Sequence, residues 1–165
     1  MIRDARETDL PAIVRIYNEA IPGRLATADT EPVTVESRRA WLLDRGPRHP
    51  AWVFERDGEV AGWLTLGKFY GRPAYAGTVE VSVYVAAGAQ GAGIATALMN
   101  QAVARAPALG LATLLGFVFA HNGPSLALCE KYGFARWGEL PRVAVLDGIE
   151  RDLLILGKRL DPPPP

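Results

Sequence analysis

Cysteine occurs once, at Cys129, and histidine twice, at His49 and His121. One thiol cannot close a disulfide within the chain, and these few separated ligands do not form a Cys- or His-based metal cluster, so no metal is expected. Charge of one sign is missing too: 18 Lys and Arg stand against 18 Asp and Glu. A balanced chain lacks the basic footprint of a nucleic-acid or anionic-membrane binder, and neither partner is expected. No run reaches the roughly 18 consecutive apolar residues of a membrane helix. The opening MIRDARETD is charged where a secretory leader carries its apolar segment. These absences together predict a cytoplasmic protein.

What is present is a core-forming composition, 49% hydrophobic and 22% charged over 165 residues, without internal repeat or linker. That fits one globular α/β domain over residues 1–160, with the DPPPP of 161–165 as a loose tail that cannot pair in a sheet. Along the chain, IRDAR reads as a first strand. Leu10, Ile13, Val14 and Tyr17 recur at helical spacing, giving a helix over 9–20 capped by Thr8. Residues 21–32 have no period and read as a loop, after which Thr34 opens a second helix. Asp57–Gly58 and Asp147–Gly148 each sit between apolar runs, the pattern of a hairpin with a tight type I′ turn. TVEVSVYV (78–85) is a strand of β-branched residues, and LATLLGFVFA (111–120) reads as one buried on both faces. Asn122 then caps a helix with Pro124 and Ser125 in its first turn.

Between Tyr84 and Met99 a strand gives way to Gly88, Gly91 and Gly93 and then to a helix-like run, read as about 91–107. A glycine turn opening a helix offers backbone N–H groups and a favourable dipole to an anion. A nucleoside triphosphate loop needs a Lys and a Ser or Thr after its last glycine, where this chain has Ile94 and Ala95. A dinucleotide fold needs an acidic residue about 20 positions on. After Glu80 the next acid is Glu130, too far away. The remaining option is an acyl-CoA pyrophosphate held by QGAGIA, residues 90–95.

QGAGIA resembles the Gln/Arg-x-x-Gly-x-Gly/Ala loop of the GNAT superfamily of acyl-CoA N-acyltransferases. The preceding VYV (83–85) and the later HNGPSLALCEKYGF (121–134) suit that superfamily's other cofactor segments. IYNEAI, TEPVT, RPAYAGTVEVSVYV and PRVAVLDGIERDLLIL extend the likeness over nearly the whole chain. They are similar to the phosphinothricin and methionine sulfoximine acetyltransferase branch, which acetylates the α-amino group of small amino acid analogues.

The resemblance implies a mixed sheet of about six or seven strands flanked by about four helices. It implies acetyl-CoA as co-substrate, no metal, and a homodimer with Tyr75 and the loop around 68–77 near the interface or the pocket mouth. The main chain of Val83, Tyr84 and Val85 would meet the pantetheine arm, and Gln90, Gly91, Ala92, Gly93, Ile94 and Ala95 the pyrophosphate. Asn122 and Ser125 would contact the cofactor. Glu80 takes the place of the general base, and a backbone N–H near Val83 would meet the oxyanion. Arg72 matches an arginine suited to a substrate carboxylate, and Tyr75 an aromatic wall of the pocket.

Departures from the branch bear on chemistry and substrate. Where superfamily members carry a Tyr as the thiolate's acid, and the branch commonly His, this chain has Cys129, the candidate acid here. Ala76, Gly77 and Glu150 replace larger, acidic or aromatic residues, and Glu150 near the pocket would disfavour an anionic substrate. Three other functions stay open: acetylation of a peptide N-terminus, acetylation of a polyamine, and a non-catalytic acyl-CoA-binding module.

Overall fold

A computed structural model describes residues 1–160; the tail expected at 161–165 lies outside the described residues. Seven strands form one sheet in the order β1-β2-β3-β4-β5-β7-β6. They are β1 Ile2–Asp4, β2 Ala51–Arg56, β3 Glu59–Lys68, β4 Thr78–Val85, β5 Thr113–Phe119, β6 Ala135–Leu146 and β7 Ile149–Arg159. Four α-helices flank them: α1 Leu10–Ala20, α2 Val35–Leu43, α3 Ile94–Arg105 and α4 Gly123–Lys131. Every strand pair is antiparallel except β4 with β5.

Local chemistry sets most boundaries. Both Asp–Gly turns take positive φ at both residues, 55° and 80° at Asp57–Gly58 and 53° and 77° at Asp147–Gly148, as type I′ requires. Thr34 caps α2 reciprocally with Ser37, and the Asn122 carboxamide oxygen accepts from the Ser125 N–H at 3.2 Å to cap α4. Two expectations shift. Thr8 lies inside a short 3-10 turn and does not cap α1. Asp9 holds the N-cap position of α1 without a side-chain capping bond; its carboxylate instead accepts from the Arg6 N–H at 2.7 Å and takes both terminal nitrogens of Arg3. The helix expected from about 91 begins at Ile94, because Gly91 and Gly93 hold φ of 78°.

Alternation divides β3 and β4 into two faces. Leu64 and Leu66 of β3, with Val79, Val81, Val83 and Val85 of β4, share the face covered by α3. Gly62 is required there: a Cβ would lie 2.8 Å from an Ile94 methyl. Trp63 and Thr65 of β3, with Glu80, Ser82 and Tyr84 of β4, share the other face, under α1 and α2. The Trp63 indole N–H donates to the Ile13 carbonyl at 3.1 Å, and the rings of Trp41 and Trp63 meet edge-on with centroids 5.6 Å apart.

Candidate active site

The parallel pairing of β4 with β5 is short. Thr78, Val79 and Glu80 face Thr113, Leu114 and Leu115, and pairing stops there. β4 continues to Val85 and β5 to Phe119, so a wedge opens between them with its vertex at Glu80 and Leu115. Which main-chain groups line the wedge follows from the ladder on the other side of β4. The Ala86 N–H donates to the Ala61 carbonyl at 2.9 Å. Counting back in twos along the antiparallel register, Tyr84, Ser82 and Glu80 exchange their main-chain bonds with β3. Val79 and Val81 therefore point their main chain toward β5, where the Val81 N–H closes the last bridge on the Leu115 carbonyl; beyond it the Val81 C=O and both main-chain groups of Val83 and Val85 turn into the wedge. The structure thus divides the expected trio: Val83 and Val85 turn main chain into the wedge, whereas Tyr84 pairs its main chain with β3 and gives its hydroxyl to the Ala26 carbonyl.

At the far end of β4 the chain enters the glycine turn. α3 starts after Gly93, and its first intrahelical bond runs from the Ala97 N–H to the Gly93 carbonyl. The N–H groups of Ile94, Ala95 and Thr96 have no helical partner and are available to an anion. From Glu80 to Val85 the strand rises about 17 Å. An acyl group at the vertex and a pyrophosphate at the helix N-terminus are thus separated on the scale of an extended pantetheine arm.

A cavity of about 550 Å³ occupies the wedge and the space beneath α1 and α2. It collects Glu80, Val83, Tyr84, Asn122, Ser125 and Cys129 from the residues singled out in the sequence. Glu80 makes no hydrogen bond or ion pair among the described residues, and burial raises its carboxyl above the ordinary range. The Cys129 thiol faces Gly116, where an added Cβ would lie 3.7 Å from the sulfur, and burial pushes its pKa up to about 11. It is a protonated thiol at neutral pH. The Tyr132 hydroxyl is bound elsewhere, its one proton shared between the Thr96 carbonyl at 2.8 Å and the Asn100 Oδ1 at 2.6 Å on α3. Asn122 is buried with both ends of its amide engaged, its nitrogen donating to the Leu25 carbonyl at 3.1 Å.

Leu25 belongs to a strap that sequence reading left as a plain loop. Residues 24–29 cross the mouth of the cavity on four anchors. The Tyr84 hydroxyl donates to the Ala26 carbonyl at 3.0 Å, and the Asn122 amide to the Leu25 carbonyl. The His121 ring meets the Arg24 carbonyl at 2.7 Å, and the Arg24 guanidinium pairs with Asp147 at 3.1 Å. Tyr17 of α1 bonds Thr27 at 2.6 Å and also Asp29, while Arg38 of α2 stacks 5.2 Å from the Tyr17 ring centroid and reaches Asp29 at 3.4 Å.

Arg72 and Tyr75 stand apart from Glu80. They line a second cavity of about 180 Å³ with Arg48, His49, Lys68 and Thr78, at the amino end of β4. Glu150 lines neither cavity; in the final hairpin it pairs with Arg142 at 2.8 Å, so its charge is answered locally. Among the cavity residues that the sequence does not point to are Tyr17, Arg38, Thr65 and Ser82. Ser82 was within reach of sequence reading, since period-2 alternation places it on the face of Glu80.

A mixed sheet whose two central parallel strands splay beside a half-buried carboxylate, next to a glycine-opened helix, is the architecture of an acyl-CoA acyltransferase. The chain belongs to the acetyltransferase (GNAT) family, whose pattern it matches over residues 10–134. It is 47% identical to a Bacillus subtilis (strain 168) protein provisionally named phosphinothricin acetyltransferase YwnH, covering 96% of this chain and 98% of that one. It is 34% identical to the L-methionine sulfoximine/L-methionine sulfone acetyltransferase of Pseudomonas aeruginosa, covering 98% and 95%. Among solved structures, a GNAT superfamily phosphinothricin acetyltransferase from Sinorhizobium meliloti in complex with acetyl-CoA superposes with a TM-score of 0.91. Its sequence is 28% identical, and the match covers 97% of this chain and 88% of that one. The seven-stranded mixed sheet and four helices are those the family resemblance implies. The protein is an acetyltransferase that uses acetyl-CoA as co-substrate.

Proposed function

We propose that the protein transfers the acetyl group of acetyl-CoA to the amino group of a small amino acid or amino acid analogue of the phosphinothricin or methionine sulfoximine type. The observation that carries this reading is the vertex of the wedge. A half-buried carboxylate without a partner among the described residues stands where the strands part, near the main-chain donor of Val83. Glu80 takes a proton from the acceptor's ammonium group. The Val83 N–H meets the oxyanion that forms when the amine nitrogen attacks the thioester carbon. The C–S bond then breaks, and Cys129, the protonated group on the opposite wall, is placed to donate to the departing sulfur. The N–H groups after Gly93 bind the pyrophosphate, with Gln90 beside them, and Ser125 and Asn122 line the cofactor side of the cavity.

Arg72 is proposed to read the acceptor's carboxylate. Its cavity reaches Thr78, which lies on the same face of β4 as Glu80 and two residues before it, a rise of about 7 Å. Tyr75 walls that end. The names of the relatives support the same acceptor class. The test is release of CoA from acetyl-CoA against a panel of free amino acids, phosphinothricin, methionine sulfoximine, polyamines and short peptides. Amino acids or their analogues are expected to be the best acceptors. A preference for polyamines or peptides overturns the reading of the acceptor, and no CoA release with any amine overturns the enzyme reading.

We also propose a cytoplasmic homodimer, acting where acetyl-CoA is made. Large exposed apolar side chains gather on the last hairpin: Trp137, Leu140, Val143, Val145 and Ile149 are 40–61% exposed. The hairpin's β6 is an edge of the sheet, free to meet a second copy. The surface favoured by this grouping is the hairpin more than the loop around 68–77. Light scattering is expected to give twice the 17.8 kDa chain mass; a monomer across a wide concentration range refutes the dimer.

A further inference from the structure

The core strand β3 carries one polar side chain among its buried residues. From Val60 to Leu66 every residue is buried, and Thr65 alone in that stretch bears a hydroxyl. Thr65 is 4% exposed, yet its side chain makes no hydrogen bond among the described residues; it lines the cavity. The Thr65 hydroxyl is not sealed in: it opens into the cavity, where a water or a ligand can complete its hydrogen bonding. In register, Thr65 lies directly opposite Ser82, whose side chain is also unbonded among the described residues and also lines the cavity. Directly paired side chains have Cβ atoms about 5 Å apart, and diagonal ones about 7 Å. Thr65 is therefore diagonal to Glu80, and Ser82 is two residues beyond it on the same face. Opposite Glu80 is Gly67, where an added Cβ would meet only a main-chain oxygen at 3.8 Å, so the space beside the carboxylate is open.

The two tyrosine hydroxyls of this cavity are already engaged. That of Tyr17 is bound to Thr27 and Asp29, and that of Tyr84 to the Ala26 carbonyl. Two free hydroxyls and one free carboxylate remain on one face, at separations that a single water spans.

We propose that Thr65, with Ser82, is a positioning residue that holds a water between the acceptor's ammonium group and Glu80. This rests on the acetyltransferase reading above. The water has two bonds to accept and two to donate, and the site matches all four. It accepts from the ammonium group and from the Ser82 hydroxyl; it donates to Glu80 and to the Thr65 oxygen. The ammonium proton passes to the water as the water's own proton passes to Glu80, which leaves a neutral amine, a protonated Glu80 and the water restored. The amine nitrogen then bonds to the thioester carbon, and the C=O π pair moves to oxygen. As this adduct collapses, the C=O bond reforms, the C–S bond breaks with its pair on sulfur, the nitrogen loses its second proton while the sulfur gains one, and Glu80 returns its proton to solvent. The net products are the amide, CoA thiol and one proton. The other ionisable groups bordering this space are Tyr17 of α1, Asp29 of the strap, Arg38 of α2, Tyr84 of β4 and Cys129 of α4. Burial holds Tyr17, Tyr84 and Cys129 in their protonated forms at neutral pH.

The test compares Thr65→Val, Thr65→Ser and Ser82→Ala with the wild type, on whichever amine the wild type acetylates fastest. Thr65→Val keeps the shape and removes only the hydroxyl. It is expected to lower kcat at pH 7 by about 10- to 100-fold, with acetyl-CoA affinity unchanged and the melting temperature equal or higher. Thr65→Ser restores the hydroxyl and most of the rate, and Ser82→Ala behaves like Thr65→Val. The loss is expected to shrink as pH rises toward the acceptor's own amine pKa, where the nucleophile is already neutral. Wild-type turnover by Thr65→Val at pH 7 overturns the inference. So does a loss of the same factor at every pH accompanied by a lower melting temperature, which marks a structural hydroxyl. Failure of the amino acid reading appears separately, as a different preferred amine of the wild type in the same assay.

Discussion

Glu80→Gln is expected to lower kcat by about two to four orders of magnitude, the usual scale for losing a general base. The substitution keeps size and hydrogen-bonding capacity but cannot take up a proton at neutral pH. The sign of the pH dependence follows from burial. Desolvation raises the Glu80 carboxyl above its ordinary range, and the base is the ionised form. The wild-type rate should therefore climb as pH rises through that elevated value, and this acid limb should vanish in Glu80→Gln. Affinity for acetyl-CoA should barely change, because the wedge main chain and the α3 N-terminus do not involve this side chain. The variant should also fold, since a neutral amide replaces a carboxylate whose ionised form burial disfavours. Steady-state kinetics from the ordinary carboxyl value of 4.5 upward to about pH 9, with a binding isotherm for acetyl-CoA, checks all of these. Near-normal turnover across that range would make Glu80 structural, and the amine would then arrive already neutral.

Gly93→Glu is expected to abolish acetyl-CoA binding. Two effects act together. Gly93 holds φ of 78°, and a side chain in the left-handed region costs about 1–2 kcal/mol. The new carboxylate would also occupy the N-terminus of α3, where the pyrophosphate needs the unpaired N–H groups and the positive end of the helix dipole. In the wild type, acetyl-CoA at 100 times its Kd should add about 2.7 kcal/mol of stability by linkage. NADH and ATP should not. In Gly93→Glu that increment should disappear while the unliganded protein still melts cooperatively. Gly93→Ala separates the contributions: it carries the strain without the charge and should keep part of the stabilisation. Thermal melts with and without ligand provide the measurement. Full stabilisation of Gly93→Glu by acetyl-CoA would show that the pyrophosphate is bound elsewhere.

Both predictions concern residues legible in the chain before any tertiary information, and the reason is local chemistry. An Asp–Gly pair between apolar runs specifies a type I′ turn wherever it occurs, so both hairpins could be read. Thr34 and Asn122 cap because their side-chain oxygens reach the N–H three residues on, a property of short sequence. The glycine turn after a β-branched strand is equally local, and the family resemblance attached acetyl-CoA and Glu80 to it. Where local rules compete, sequence was less decisive. Thr8 and Asp9 are both of capping type, yet neither side chain caps α1, because the Asp9 carboxylate is taken by Arg3 of the neighbouring strand β1 and by the Arg6 N–H.

The rest depended on residues far apart in the chain. The sequence by itself determined the elements, the hairpins, the glycine-opened helix and the carboxylate on β4. Only the tertiary structure placed that carboxylate at a vertex, because the number of residues over which β4 and β5 stay paired is set by neither strand alone. It also fixed which valines turn their main chain into the wedge, a matter of ladder phase between β3 and β4. It brought Thr65 across from Ser82, 17 residues later, and drew the strap at 24–29 over the mouth through Tyr84, His121, Asn122 and Asp147. And it set Arg72 in a second cavity apart from Glu80, whose lining reaches β4 at Thr78. Local propensity acts over a few residues, whereas these placements are consequences of register and packing between strands and helices that meet only once the chain has folded.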